Sequence, residues 1–180
     1  MDLKSLVLSK RTLGGRLKSP AALQGTIRNA EVLGWNLYLN ANPTTARPGA
    51  VKLNRDDIQI WRYIVIDIDP KEALVPPDFQ HHQLTRANII FSGRGYQCWL
   101  RVENLDNKVR AERVMRGYLN HLNTTIDHWA PGWTVDTSCA DLARVVRCPG
   151  SINQKTGRRA TIESVSGGIL SQAEYLDYEH

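Results

Sequence analysis

The stretch Tyr63–Pro70 reads YIVIDIDP. Its β-branched residues and period-2 alternation predict a strand. Ile64, Ile66 and Ile68 fall on one face, and Tyr63, Val65, Asp67 and Asp69 on the other. Both aspartates therefore point the same way, roughly 7 Å apart along the strand. A buried carboxylate costs several kcal/mol, on the order of the penalty for any unpaired ion, unless something compensates it. The rest of the chain has to supply that partner.

Working outward, SPAALQGTIRNAEVLGW predicts a helix with Ser19 as N-cap, Pro20 in the first turn and Gly34 past the end. Leu23, Ile27 and Ala30 mark its inner face. WNLYLNANP then alternates Trp35, Leu37 and Leu39 against Asn36, Tyr38 and Asn40, a strand period. PKEALVPPDFQHHQ, after the aspartates, reads as an exposed loop or short helix. ANIIFSGRGYQCWLRV predicts strand, glycine turn and strand, with Gln97, Trp99 and Arg101 sharing a face. The clearest helix is DNKVRAERVMRGYLNHLNTTIDHW. Ala111, Val114, Met115, Tyr118, Leu122 and Ile126 form its apolar stripe, with Arg110, Arg113 and Arg116 on a solvated face. A short strand into Asp136, another at Arg144–Cys148, a glycine turn and a strand from Ala160 complete the pattern. The fold class is α/β (α+β) with a largely antiparallel sheet.

Composition narrows the function. At 180 residues the chain is long enough for one domain with a real core, and no apolar run approaches a membrane span. A cytoplasmic protein is expected. The three cysteines, Cys98, Cys139 and Cys148, form no CxxC pair and read as small buried apolar residues, which speaks against a zinc knuckle or a disulfide framework. The net charge is +5. Lys4, Lys10, Arg11, Arg16, Lys18, Arg28 and Arg47 face only Asp2 and Glu31 in residues 1–50. Arg144, Arg147, Lys155, Arg158 and Arg159 face only Asp141 in residues 141–160. Such clusters suit a polyanion, although a solvated basic surface has the same composition.

Three blocks carry chemistry. Asp67 and Asp69 on one strand, with Asp136 ending another, can bridge Mg²⁺ or Mn²⁺ ions roughly 3.5–4 Å apart and so serve attack at phosphorus. The alternative is a D-x-D that merely ends a strand. SGRGYQ offers Ser92 and Arg94 as phosphate donors, with glycines that let backbone approach a ligand; it also suits a plain hairpin turn. ARVVRCPGSINQKTGRR adds Arg144, Arg147, Asn153 and Lys155 around a turn, a donor set for a triphosphate or a solvated basic loop.

In this order and spacing, from about Asn36 to Gly157, the blocks resemble the archaeo-eukaryotic primase superfamily, including plasmid and phage primase-polymerases. Asp67 and Asp69 match the family's D-x-D motif, SGRGYQ its S-G-x-G-Y-H motif, and VDTSCADLARVVRCPGSINQKTG its third block. The resemblance implies a single catalytic domain over residues 1–180. An N-terminal basic αβ part (1–60) would pack on an RRM-like catalytic part (61–180). It implies a DNA primase or primase-polymerase that attacks the α-phosphate of NTP or dNTP on a single-stranded DNA template, in plasmid or phage replication. It places the metals, Mg²⁺ or Mn²⁺, on Asp67, Asp69 and Asp136. It puts the triphosphate on Ser92, Gln97, Arg147, Asn153 and Lys155, with Arg94, Arg144 and the N-terminal basic residues on nucleotide or template. A replicative helicase, in the same or another chain, is a further candidate partner. Gln97 and Asn153 stand where the family has histidines; an amide still donates a hydrogen bond but carries no charge. A replication-initiator nuclease is disfavoured, because His81 and His82 are adjacent and that chemistry needs two histidines flanking one residue. The other alternative is a catalytically silent module that binds nucleotide or single-stranded DNA.

Overall fold

The computed structural model describes residues 6–9, 13–15, 19–45, 53–72, 75–80 and 84–179, the first two stretches as backbone. Most of the N-terminal basic residues (Lys4, Lys10, Arg11, Arg16, Lys18 and Arg47) and His81 and His82 lie outside the described residues.

Two antiparallel sheets form the frame. The first has strand order β2-β1-β3-β8, from β1 (Leu6–Ser9), β2 (Leu13–Gly15), β3 (Asn36–Asn40) and β8 (Val145–Arg147). The second has order β11-β5-β6-β4-β7. It comprises β4 (Tyr63–Pro70), β5 (Asn88–Phe91), β6 (Tyr96–Arg101), β7 (Trp133–Val135) and β11 (Thr161–Ser164). Two-residue strands β9 (Ile152–Asn153) and β10 (Arg158–Arg159) pair as a hairpin. The helices are α1 (Pro20–Val32), α2 (Lys108–Trp129) and the short α3 (Gln172–Tyr175).

The predicted cap of α1 forms. The Ser19 hydroxyl accepts from Ala22 N–H at 3.2 Å, Pro20 opens α1, and Gly34 takes φ 64° after it. Asn107 caps α2 by accepting from Arg110 N–H.

The period-2 pattern of β4 divides the core in two. Ile64, Ile66 and Ile68 pack with Val114, Met115, Tyr118, Leu119 and Leu122 of α2 in the larger cluster. Val65, with Ile90 and Trp99, packs on the opposite side against Leu37, Leu39 and Val146 of the first sheet and Ala30 of α1. The central sheet is thus covered on both faces, and the first sheet meets it on the face that bears the aspartates. The strand at Arg147 belongs to the first sheet: Tyr38 pairs with Arg147 and Leu39 with Val146. Asn42 pins this junction. Its buried amide accepts from Arg62 and Tyr63 N–H and donates to the Leu142 carbonyl.

The arginine face of α2 is less free than periodicity suggests. Arg110 and Arg113 both reach Glu179, and Gly117 lets the Tyr178 carbonyl lie against the helix.

Candidate active site

β4 and β6 pair so that Asp67 faces Gln97, and β4 and β7 pair so that Asp69 faces Thr134. Asp136 follows β7 and donates its N–H to the Asp67 carbonyl at 2.8 Å, which brings the third aspartate beside the first. Its side chain accepts from Ser138 N–H at 2.9 Å and from the Cys139 thiol at 3.4 Å. Asp67, Asp136 and Cys139 bring their ligand atoms within 4.8 Å of one another. Asp69 stands alongside, in the cleft.

Burial, with Asp69 and Asp136 adding like charge, pushes the Asp67 carboxyl up to about 6 despite a hydrogen bond from Gln97 and the nearby Arg144. Asp136 goes the other way. Burial raises it, but Ser138, the Cys139 thiol and Arg144 outweigh that and hold it below the usual carboxylate range. The two are compatible: Asp136 is ionised and donor-rich, and Asp67 bears the cost of its neighbours. A half-buried carboxylate crowded by others, with hard oxygen donors converging, fits a divalent cation.

An open cleft of about 320 Å³ runs from Asp67 and Asp69 to the other sheet, and Asp136, beside Asp67, does not line it. Asp67, Asp69, Ser92, Arg94, Gln97, Arg147, Asn153 and Lys155 line it, together with Asn36 and Tyr38. Arg147 is only 8% exposed. Its guanidinium donates to Asn36 Oδ1 at 2.8 Å and Tyr38 Oη at 3.0 Å, and lies 4.8 Å from the Tyr38 ring centre. Among the described residues it has no carboxylate partner.

The SGRG turn is held from two sides. Asn153 Nδ2 donates to the Ser92 carbonyl and Thr156 Oγ1 to the Gly93 carbonyl. The glycines face protein, not an open ligand path: a Cβ on Gly95 would sit 2.2 Å from the Ile68 carbonyl, and one on Gly93 2.7 Å from Asn153 Cβ. They are needed so that this turn can close against β4 and the β9–β10 hairpin.

Arg144 does not line the cleft. It donates to the Ser138 carbonyl at 2.6 Å and pairs with Asp141 at 3.0 Å, beside the acidic group. Arg159 is paired with Glu31. Of the second basic cluster, the Lys155 ammonium is the one that reaches the cleft exposed and without a partner among the described residues.

Three residues of this region escaped the sequence reading. Asn36 and Tyr38 were visible only as the polar half of an alternating strand, and Cys139 as a buried apolar side chain. Its spacing of three from Asp136 was the available signal for Cys139.

No protein-family model and no curated protein matches this sequence. Solved structures do. The AEP domain of the cyanophage S-2L primase-polymerase superposes with a TM-score of 0.68 over 99% of this chain and 91% of that one, at 15% identity. The fold is that of the archaeo-eukaryotic primases. The catalytic domain of primase RepB', solved with initiator DNA, gives a TM-score of 0.60 over 97% of this chain and 84% of that one, at 13% identity. The polymerase domain of Mycobacterium tuberculosis ligase D, solved with DNA, gives 0.52 over 97% and 70%, at 17% identity. Among the described residues no helix is long and apolar enough to cross a membrane.

Proposed function

We propose that the cleft is a nucleotidyl-transfer site that binds an NTP or dNTP with Mg²⁺ or Mn²⁺ and joins it to a strand on a single-stranded DNA template, as a primase-polymerase of plasmid or phage replication. The observation that carries this reading is Arg147. A nearly buried guanidinium bonded, among the described residues, only to neutral oxygens is an expensive arrangement unless an anion completes it. It faces an acidic wall across a cleft lined by Lys155 and Arg94. Cations and carboxylates lining one cleft suit a metal-bound triphosphate.

In this reading Asp67, Asp69 and Asp136 hold the cation. When bound, the cation supplies charge neutralisation at the phosphates and a lowered pKa of the attacking hydroxyl. Arg147 and Lys155 bind phosphate oxygens. Arg94, at the tip of the glycine turn, is placed for nucleotide or template. The Ser92 hydroxyl is bonded within its own turn, to Gly95, and contributes by shaping that turn. The likeness to structures solved with DNA supports a DNA template.

The test is incorporation of each NTP and dNTP set on a primed and an unprimed single strand, with Mg²⁺ and then Mn²⁺. Extension products that vanish in Asp67→Ala, Asp69→Ala and Asp136→Ala are expected. The binding-only alternative draws on Gln97 and Asn153, whose amides both make protein contacts. Tight triphosphate binding without any product would establish it instead.

A further inference from the structure

Gln97 lines the cleft, yet it is 7% exposed. Its Oε1 accepts the Arg147 backbone N–H at 3.0 Å. Gln97 stands directly opposite Asp67 in the β4–β6 pair, where its amide favours the charged form of that carboxyl. With Oε1 taken by the Arg147 N–H, the amide nitrogen is the group left to donate toward the opposing carboxylate. The chain of bonds continues from the Arg147 guanidinium to Asn36 Oδ1, which also accepts the Gln154 N–H at 3.1 Å. Thus β4, β6, β8 and β3 are linked across the junction of the two sheets, from the acidic wall to the cationic one.

Resting on the functional reading above, we propose that Gln97 is a positioning residue that orients the Asp67 carboxylate and anchors the Arg147 strand, and takes no part in holding the triphosphate. The Arg147 guanidinium keeps its own supports, Asn36 and Tyr38, and does not depend on Gln97. Loss of the amide is therefore felt first by the cation. Groups that hydrogen-bond a metal-ligating side chain alter metal affinity by about 10–100-fold when removed.

The experiment uses Gln97→Met, which keeps the volume, and Gln97→Leu as a second variant, with folding checked by thermal denaturation. Mn²⁺ affinity is read without nucleotide from the electron-spin-resonance signal of the free ion. The dATP Kd is read calorimetrically at saturating Mn²⁺. Expected is a rise in Mn²⁺ Kd of about tenfold, with dATP Kd within about twofold of wild type once Mn²⁺ saturates, since excess cation compensates for a loosened ligand. A dATP Kd that stays raised about tenfold at saturating Mn²⁺, with Mn²⁺ affinity unchanged, makes Gln97 a direct phosphate ligand and overturns the inference. A wild-type protein that binds neither Mn²⁺ nor dATP overturns the functional reading and this inference with it.

Discussion

In the cleft, Asp67 and Arg147 have surroundings that ask for something more than the fold supplies. With its carboxyl raised to about 6, Asp67 is protonated in the folded chain at a pH where the unfolded chain has already ionised it. Below about pH 4 both states are protonated and there is no penalty. Between about pH 4 and pH 6 the unfolded chain gives up this proton while the folded chain holds it, so stability falls, and the loss is complete once the crowded carboxyl ionises above 6. At pH 7 without cation the cost is on the order of 3 kcal/mol. Asp67→Asn is therefore expected to raise Tm at pH 7 by several degrees, at about 2–4 °C per kcal/mol, and to change it little at pH 4, while nucleotide incorporation disappears. Melting curves across pH in chelator check this; an unchanged Tm at pH 7 would place Asp67 in a relaxed environment. On the cationic wall, Arg147→Ala and Lys155→Ala are expected to raise the triphosphate Kd about tenfold or more, from loss of a charge-assisted bond of about 1.5–3 kcal/mol. Single-strand affinity should fall much less. Equal losses for both ligands would assign these residues to a general DNA surface.

At the scale of elements, the strand patterns around the site were legible because sheets obey a strict period of two. YIVIDIDP placed three isoleucines against α2 and two aspartates in the cleft, as its alternation requires. The capping of α1 by Ser19 followed from local chemistry alone. What local pattern did not reveal is where glycines meet other elements. In α2, Gly117 costs helix propensity of about 1 kcal/mol relative to alanine. A Cβ there would stand 1.8 Å from the Tyr178 carbonyl, however, and backbone cannot yield as a side-chain end can. Overpacking of about 1–3 kcal/mol outweighs the propensity gain. Gly117→Ala is expected to be destabilising overall and to loosen the Tyr178–Glu179 segment, including its Arg110 pair. Denaturant midpoints would decide it, and a more stable variant would show that segment to be free to move away.

For the whole molecule, the cleft lies where two sheets meet, so a ligand touching both walls ties them together. A ligand at 100 times its Kd adds about 2.7 kcal/mol to stability, or roughly 5–11 °C in Tm at this chain length. Mn²⁺ with dATP is expected to raise Tm by that order at pH 7 and by much less at pH 5, where protons compete for Asp67. A pH-independent shift would place the bound ligand away from the aspartates.

The sequence by itself determined strands β3 to β8 and β11, the two long helices and the Ser19 cap, the placing of Asp67 with Asp69 on one face, and the family likeness of the three motif blocks. These depend on periodicity and neighbouring residues, which a linear chain displays. Only the tertiary structure decided that the Arg147 strand completes the N-terminal sheet, because a three-residue strand carries no label for its partner. It decided that Arg144 is spent on Ser138 and Asp141 while Arg147 lies in the cleft, although three positions separate them in one basic run. It decided that Gln97, opposite Asp67, accepts the Arg147 N–H, since an amide's partners are set by which backbone groups reach it across the sheet junction. Charge and hydrophobic pattern are properties of the chain; the assignment of each buried donor to its acceptor is a property of the packed fold.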